Sequence, residues 1–161
     1  RSPARCSLCQ IFEAGIGNAP RQAAHKIVLP LHPRTQKCMQ EGLSKETLEL
    51  LSKNDNMLTT RPRSYFNILA LEKNCELVIT DSGGLQKEAF FFQKPSLILR
   101  NQTEWVEIVE SGNAIIVGAD KKAIVEGFKT LKEKTSFEFP PFYGDGNAAA
   151  FMCSEIAKVV L

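Results

Sequence analysis

The sequence predicts an α/β domain with a doubly wound parallel sheet of the Rossmann type, and two observations indicate this. Short apolar runs alternate with helical patterns about five times from residue 26 onward. The apolar runs are continuous instead of alternating with polar residues, which is typical of parallel strands covered by helices on both faces. Right-handed crossovers between such strands would give a doubly wound, Rossmann-like sheet. Ligands of such sheets bind beyond the carboxyl ends of the strands.

The predicted strands are the apolar runs bounded by turn residues. They cover residues 26–31, 57–60, 76–80, 96–100 and 113–117.

The predicted helices are the segments with apolar residues three or four positions apart. The first covers 44–53, where Ser44 is a candidate N-cap and Leu48 and Leu51 share a face. The others cover 64–73, 83–92, 104–110, 120–134 and 147–160. Residues 1–25 show no clear pattern, so we expect an irregular or helical lead-in there and one domain over 26–161.

Composition excludes several classes of function. Twenty basic and 18 acidic residues leave a net charge of +2, which gives no electrostatic reason to expect nucleic acid or an anionic membrane as partner. No apolar run approaches the roughly 20 residues of a membrane span. Five scattered cysteines argue against a disulfide framework and favour reduced thiols in the cytoplasm. Cys6 and Cys9 form a C-x-x-C without further zinc-type spacing, so we expect no metal and no cofactor.

The strongest candidate site is the turn between the strand 76–80 and the helix that follows. The turn runs through Asp81, Ser82, Gly83 and Gly84, and two glycines let the backbone approach a ligand closely. The helix N-terminus presents unpaired N–H groups and a partial positive charge, which suit a phosphate. Glu88 lies about one and a half turns further on, within reach of sugar hydroxyls. The alternative is a plain N-cap after a tight turn.

Three other segments follow predicted strands or precede the last helix. His32, Arg34 and Lys37 follow the first strand and form either a phosphate-binding cluster or a solvated basic loop. Asp145, between two glycines, either belongs to a site or caps the last helix. Trp105 opens a short helix, where a packing role is the default.

Together these motifs resemble the C-terminal half of the non-hydrolysing UDP-N-acetylglucosamine 2-epimerase family. The matching stretches are LPLHPRT at 29–35, VITDSGGLQKEA at 78–89, KPSLILRNQTEW at 94–105 and YGDGNAA at 143–149. The resemblance implies two Rossmann-like domains in the glycosyltransferase-B arrangement. It also implies inversion of C2 of a UDP-amino sugar by elimination and re-addition of UDP, for cell-surface polysaccharide synthesis.

The resemblance assigns roles to particular residues of this chain. Ser82, Gly83 and Gly84 would hold the diphosphate, Glu88 would bind the ribose hydroxyls, and His32 would lie close to the phosphates. Two further positions correspond by spacing to the family's glutamine and phenylalanine near the uracil, namely Arg63 and Ile68. An arginine of the family corresponds to Trp105, which matches a branch with T-E-W that acts on other UDP-linked amino sugars.

The resemblance also defines what this chain lacks. The family's acid and base carboxylates lie in its N-terminal domain, so no residue of this chain is assigned a catalytic role and we expect the chain alone to be inactive. The implied partners are a UDP-sugar, the missing N-terminal domain and a second subunit in a homodimer. Two alternatives stay open: a glycosyltransferase of the same fold and a stand-alone UDP-binding module.

Overall fold

The structure is a computed structural model that describes residues 25–160, which form five strands and seven helices. In chain order these are β1 (Ile27–Pro30), α1 (Pro33–Gly42), α2 (Lys45–Ser52), β2 (Met57–Thr60), α3 (Tyr65–Asn74), β3 (Val78–Thr80), α4 (Gly83–Phe91), β4 (Ser96–Ile98), α5 (Val106–Glu110), β5 (Ala114–Ile116), α6 (Lys121–Glu133) and α7 (Ala148–Val160). The lead-in predicted for residues 1–25 and the Cys6–Cys9 pair lie outside the described residues, apart from His25.

All paired strands are parallel, which confirms the predicted α/β class. Strand β4 lies between β3 and β5, and β1 pairs with β2. Among the described residues, the hydrogen-bonded strands therefore form a three-stranded and a two-stranded sheet, whereas the sequence predicts a single one. Periodicity identifies a strand from its own residues, but pairing depends on distant residues, so this division leaves no local signal.

The three-stranded sheet is covered on both faces. Leu97 and Ile98 are adjacent in β4 and fully buried, and adjacent strand residues point to opposite faces. Leu97 packs in a cluster with Ile124 and Leu131 of α6, whereas Ile98 packs in a cluster with Phe90 of α4 and Ile108 of α5. This two-sided cover is the doubly wound arrangement that the sequence predicts.

The two-stranded sheet has a smaller core. Leu31, Met39 and Leu43 form its buried cluster, against which partly buried residues of α2 and both strands pack. Every position of β1 and β2 is at least partly exposed.

Helix α1 occupies residues for which the sequence analysis predicts no helix. His32 is its N-cap, where Nδ1 accepts a hydrogen bond from the Arg34 N–H at 3.3 Å, and Pro33 begins the helix. Proline at the first helical position is a recognised start signal. The helix contains few apolar residues and Met39 is its one buried residue, so no apolar stripe predicts it.

The chain's C-terminal part contributes aromatic residues and an exposed helix. Phe90 is buried beside Phe139 and Tyr143, whereas the adjacent Phe91 is largely exposed. Helix α7 exposes Phe151 and Ile156. In the part of the chain that the structure describes, no helix is long and apolar enough to cross a membrane.

Candidate nucleotide-binding site

The turn between β3 and α4 presents unpaired backbone donors. The Ser82 N–H donates to Thr80 Oγ1 at 3.0 Å, and the first helical hydrogen bond runs from the Gln86 N–H to the Ser82 carbonyl at 3.2 Å. The N–H groups of Gly83, Gly84 and Leu85 have no acceptor among the described residues. The Ser82 hydroxyl makes no capping hydrogen bond either. These donors, at the positive end of a helix dipole, form a ready site for an anion.

Gly83 is required for space, and neither glycine of the turn is required for an unusual backbone angle. Neither has a positive φ, unlike Gly112, Gly118, Gly144 and Gly146. A Cβ atom on Gly83 would collide with the carboxylate of Glu104. A Cβ atom on Gly84 would have one neighbour, Ser82 Oγ at 3.8 Å. The surface above Gly84 is therefore open to a ligand, whereas the surface above Gly83 is shared with the segment after β4.

A hydrogen-bonded chain fastens that segment to the first turn of α4. Trp105 Nε1 donates to the Gly83 carbonyl at 2.8 Å, and the Trp105 N–H donates to Thr103 Oγ1 at 3.1 Å. The Thr103 hydroxyl in turn donates to Oε1 of the fully buried Gln86 at 2.5 Å. Trp105 also packs edge-on against Tyr143. The predicted packing role of Trp105 is therefore correct, and the residue also fixes the position of the glycine-rich turn.

Two cations lie near this end of the sheet. Lys87 Nζ lies 4.6 Å from the centroid of the Trp105 ring and 4.3 Å from that of Tyr143, which is cation–π geometry. Arg100 pairs with Glu104 at 2.8 Å. A cavity of about 560 Å³ lies beyond the carboxyl ends of β4 and β5, lined by residues 99–102 and Ala119. Arg100, whose partner Glu104 lies beside Gly83, is one of the residues that line this cavity.

Glu88 faces two side chains of the neighbouring helix α3, Tyr65 and Glu72. The Tyr65 hydroxyl donates to Glu88 Oε1 at 3.0 Å, and the Glu88 carboxylate raises the pKa of that hydroxyl. Glu72 faces Glu88 from the same helix and is 4% exposed. Burial first, and then the charge and close approach of the Glu88 carboxylate, raise the pKa of Glu72 to about 7.

The sequence model of one family, UDP-N-acetylglucosamine 2-epimerase, matches residues 7–157 of this chain. The chain belongs to the UDP-N-acetylglucosamine 2-epimerase family. Among its relatives, UDP-2,3-diacetamido-2,3-dideoxy-D-glucuronate 2-epimerase of Pseudomonas aeruginosa is 40% identical over 133 residues. That match covers 83% of this chain and 35% of the relative, so the chain spans about a third of that enzyme.

Solved structures of the epimerase family give the same result for the fold. UDP-GlcNAc 2-epimerase of Methanocaldococcus jannaschii matches with a TM-score of 0.80 and 30% identity, over 96% of this chain and 42% of that one. Its complex with UDP-GlcNAc and UDP matches with a TM-score of 0.68 and 32% identity, over 83% of this chain and 36% of that one. The predicted Rossmann-like fold is thus confirmed.

Three of the residues that the family resemblance selects have no direct contact with the glycine-rich turn. His32 is exposed at the N-terminus of α1, after β1. Arg63 is exposed just before α3, and Ile68 is half-buried within that helix. No hydrogen bond, ion pair or ring contact within residues 25–160 joins any of them to Ser82–Gly84. By contrast, Trp105 contacts the turn directly, through its hydrogen bond to the Gly83 carbonyl.

Sequence reasoning missed Tyr65 and Glu72 as neighbours of Glu88. The signal was present in the helical spacing of α3, where Tyr65, Ile68, Leu69 and Glu72 recur at i, i+3, i+4 and i+7. A carboxylate at the last position of such an apolar stripe is expected to be buried. Among the described residues, no group of three or more His, Cys, Asp or Glu side chains could hold a metal ion. The expectation of an enzyme without metal or cofactor stays a prediction.

Proposed function

We propose that this chain supplies the UDP-binding part of an enzyme that inverts C2 of UDP-N-acetylglucosamine or a closely related UDP-amino sugar. The reaction would proceed by elimination of UDP and its re-addition to the other face of the sugar. The observation that carries the proposal is the row of unpaired N–H groups at Gly83, Gly84 and Leu85. Membership of the family and the UDP-bound relative of the same fold support it.

The diphosphate is proposed to bind at the first turn of α4. Three backbone donors and the free Ser82 hydroxyl converge there, and a departing UDP that must return needs such a preorganised cradle. His32 would approach the phosphates from the end of β1, where its exposed ring is available.

The nucleoside is proposed to lie along α3 and α4. The Glu88 carboxylate would accept hydrogen bonds from both ribose hydroxyls, and Tyr65 already orients one of its oxygens. Arg63 and Ile68, at the start of α3, would contact the uracil. The cation–π pair of Lys87 and Trp105 would lie at the sugar side, where relatives of the T-E-W branch would differ in substrate.

The acid and base of the reaction are proposed to come from the remainder of the enzyme, which the relatives possess. A homodimer and a cytoplasmic location stay predictions. We expect the 161-residue chain alone to leave UDP-N-acetylglucosamine unchanged, because no residue of its site is assigned to proton transfer at C2. Incubation in D2O followed by NMR measures this directly. Deuterium at C2 of the sugar would contradict the proposal that the acid and base lie outside this chain.

The ribose and diphosphate roles are separable by calorimetry with two ligands. We expect this chain to bind UDP with a Kd near 1 mM, which corresponds to about 4 kcal/mol. Glu88→Ala should weaken UDP but not inorganic diphosphate, because only UDP carries a ribose. Gly83→Val should weaken both, because its side chain displaces Glu104 into the cradle. Equal losses of both ligands in Glu88→Ala would remove the ribose assignment.

A further inference from the structure

Glu72 is a buried carboxyl group that the proposed UDP contacts do not use. It lies on α3, two helical turns beyond Tyr65, and is 4% exposed. Neither of its carboxylate oxygens has a hydrogen-bond partner among the described residues. A buried carboxylate without a donor is costly, so the protein should either pair it or neutralise it.

The side chain opposite explains how Glu72 is neutralised. Glu88 faces it from α4, and two ionised carboxylates have no proton to share in a hydrogen bond. A proton on Glu72 supplies the missing donor, so that one carboxyl group hydrogen-bonds to one carboxylate. The Tyr65 hydroxyl donates to the Glu88 carboxylate at the same time. Glu88 then has two fixed donors on the protein side.

We infer that Glu72 is a positioning residue for the nucleotide site: its neutral carboxyl group donates to Glu88 and aims that carboxylate at the ribose hydroxyls. This inference rests on the proposed role of Glu88 in UDP binding. The carboxyl–carboxylate pair would make the affinity for UDP depend on pH near neutrality, because loss of the shared proton leaves two negative charges beside an anionic ligand.

The other titratable groups near Glu72 are Tyr65, Cys75 and Lys94. Tyr65 stands on the same helix and is neutral near pH 7, with a raised pKa. Cys75 follows the end of that helix, and burial chiefly raises the pKa of its thiol. Lys94 is a nearby cation, and its charge lowers the pKa of Cys75. Burial and the charge of Glu88 are therefore the main causes of the raised pKa of Glu72. Because that pKa is about 7, Glu72 loses its proton near neutral pH.

The sign of the pH effect follows from the charge of the ligand. UDP brings its diphosphate to the N-terminus of α4 and covers the pair with its ribose, and both effects favour the neutral form of Glu72. Binding therefore raises the pKa of Glu72 and takes up a proton between pH 7 and 8. For each unit by which that pKa rises, the affinity falls about tenfold once the pH exceeds the pKa in the complex.

The test compares the full chain with Glu72→Gln, whose amide keeps a donor to Glu88 but does not titrate. We measure the Kd of UDP for both proteins from pH 5.5 to 8.5 and take their ratio, which cancels the titration of UDP itself. The ratio should be near 1 at pH 5.5, and wild type should bind about tenfold more weakly than Glu72→Gln at pH 8.5. With inorganic diphosphate, which has no ribose, the ratio should change much less.

A flat ratio for UDP would overturn the inference, and so would equal changes with UDP and inorganic diphosphate. Failure of the proposed ribose contact is recognised separately, because Glu88→Ala would then leave the affinity for UDP unchanged. The wild-type protein provides a second measurement that needs no variant. Calorimetry at pH 7.5 in two buffers of different ionisation enthalpy should show more proton uptake with UDP than with diphosphate; equal uptake would contradict the inference.

Discussion

The three-stranded sheet buries both faces of its central strand, whereas the two-stranded sheet leaves much of its surface exposed. Leu97 and Ile98 of β4 are 0% exposed, but Val28 of β1 is 41% exposed and Leu58 of β2 is 60% exposed. The proposed diphosphate cradle follows β3 and is tied by Trp105 to the segment after β4. His32 follows β1 and makes a single capping hydrogen bond. The backbone donors proposed for the diphosphate therefore belong to the better-buried sheet. His32, a contact that only the family resemblance suggests, belongs to the more exposed sheet.

The largest expected difference between the two sheets is in the cost of core truncation. Ile98→Ala removes a fully buried side chain from β4 and should lower the free energy of unfolding by about 2–5 kcal/mol. Leu58→Ala truncates an apolar side chain of β2 that is exposed, so it should change the free energy of unfolding by less than about 0.5 kcal/mol. Urea titrations of both variants measure the difference. Equal losses would contradict the comparison.

Glu72 makes the stability of the better-packed region depend on pH. Its pKa is raised from 4.5 to about 7, so its contribution to stability is fully present below pH 4.5 and is lost as the pH rises to 7. Glu72→Met removes the unpaired carboxylate and should raise the free energy of unfolding at pH 8 by about 1–3 kcal/mol. The gain should shrink towards pH 5.

The matched control is Glu133→Met, because Glu133 ends α6 at an exposed position. Its effect on unfolding should be small and the same at both pH values. A gain for Glu72→Met that does not depend on pH would show that the carboxyl group does not titrate between 5 and 8.

The link between Trp105 and the glycine-rich turn should have a smaller effect. Trp105→Phe keeps an aromatic ring but removes the indole N–H that donates to the Gly83 carbonyl. We expect a loss of about 1 kcal/mol, together with faster hydrogen exchange at the start of α4. His32→Ala removes a cap bond of 3.3 Å and should leave exchange in α4 unchanged. Exchange rates that respond equally to both variants would contradict the separate support of the two segments.

The smallest expected effect concerns the charge beside the cradle. Glu104 places a carboxylate over Gly83 and is neutralised by Arg100 at 2.8 Å. Both side chains are partly exposed, so solvent screens their charges and the contribution of the pair is modest. Glu104→Gln should release Arg100 and strengthen the binding of inorganic diphosphate by about two- to fivefold at low salt. Calorimetry at two salt concentrations measures this, and weaker binding would mean that Glu104 orders the cradle.

Local patterns predict those parts of the fold that depend on local residues. Continuous apolar runs predict all five strands, and the sequence around Gly83 predicts a strand, a turn and a helix in the right places. The separation into two sheets depends on which distant strands pair, and helix α1 contains few apolar residues. These two features therefore required the structure.

The candidate site divides in the same way. Ser82, Gly83, Gly84 and Glu88 are adjacent in sequence, so a single motif identifies them. The partners of Glu88 lie on another helix, 23 residues away in the case of Tyr65, and no motif contains them. A buried glutamate is visible only as a misplaced charge in the apolar stripe of α3, and its relation to Glu88 requires the packing of two helices.

The central claim is that the first turn of α4, on the better-buried sheet, holds the diphosphate. Amide NMR spectra of this chain during titration with UDP to millimolar concentration test it most directly. The largest shifts should fall on Gly83, Gly84 and Leu85, whose N–H groups are unpaired, with smaller shifts around His32. UDP should also shift the amide of Glu88, through the ribose contact. Inorganic diphosphate should shift the amides of Gly83 and Gly84 but leave that of Glu88 unchanged. Unchanged amides at Gly83–Leu85, or shifts confined to residues 32–37, would contradict the account.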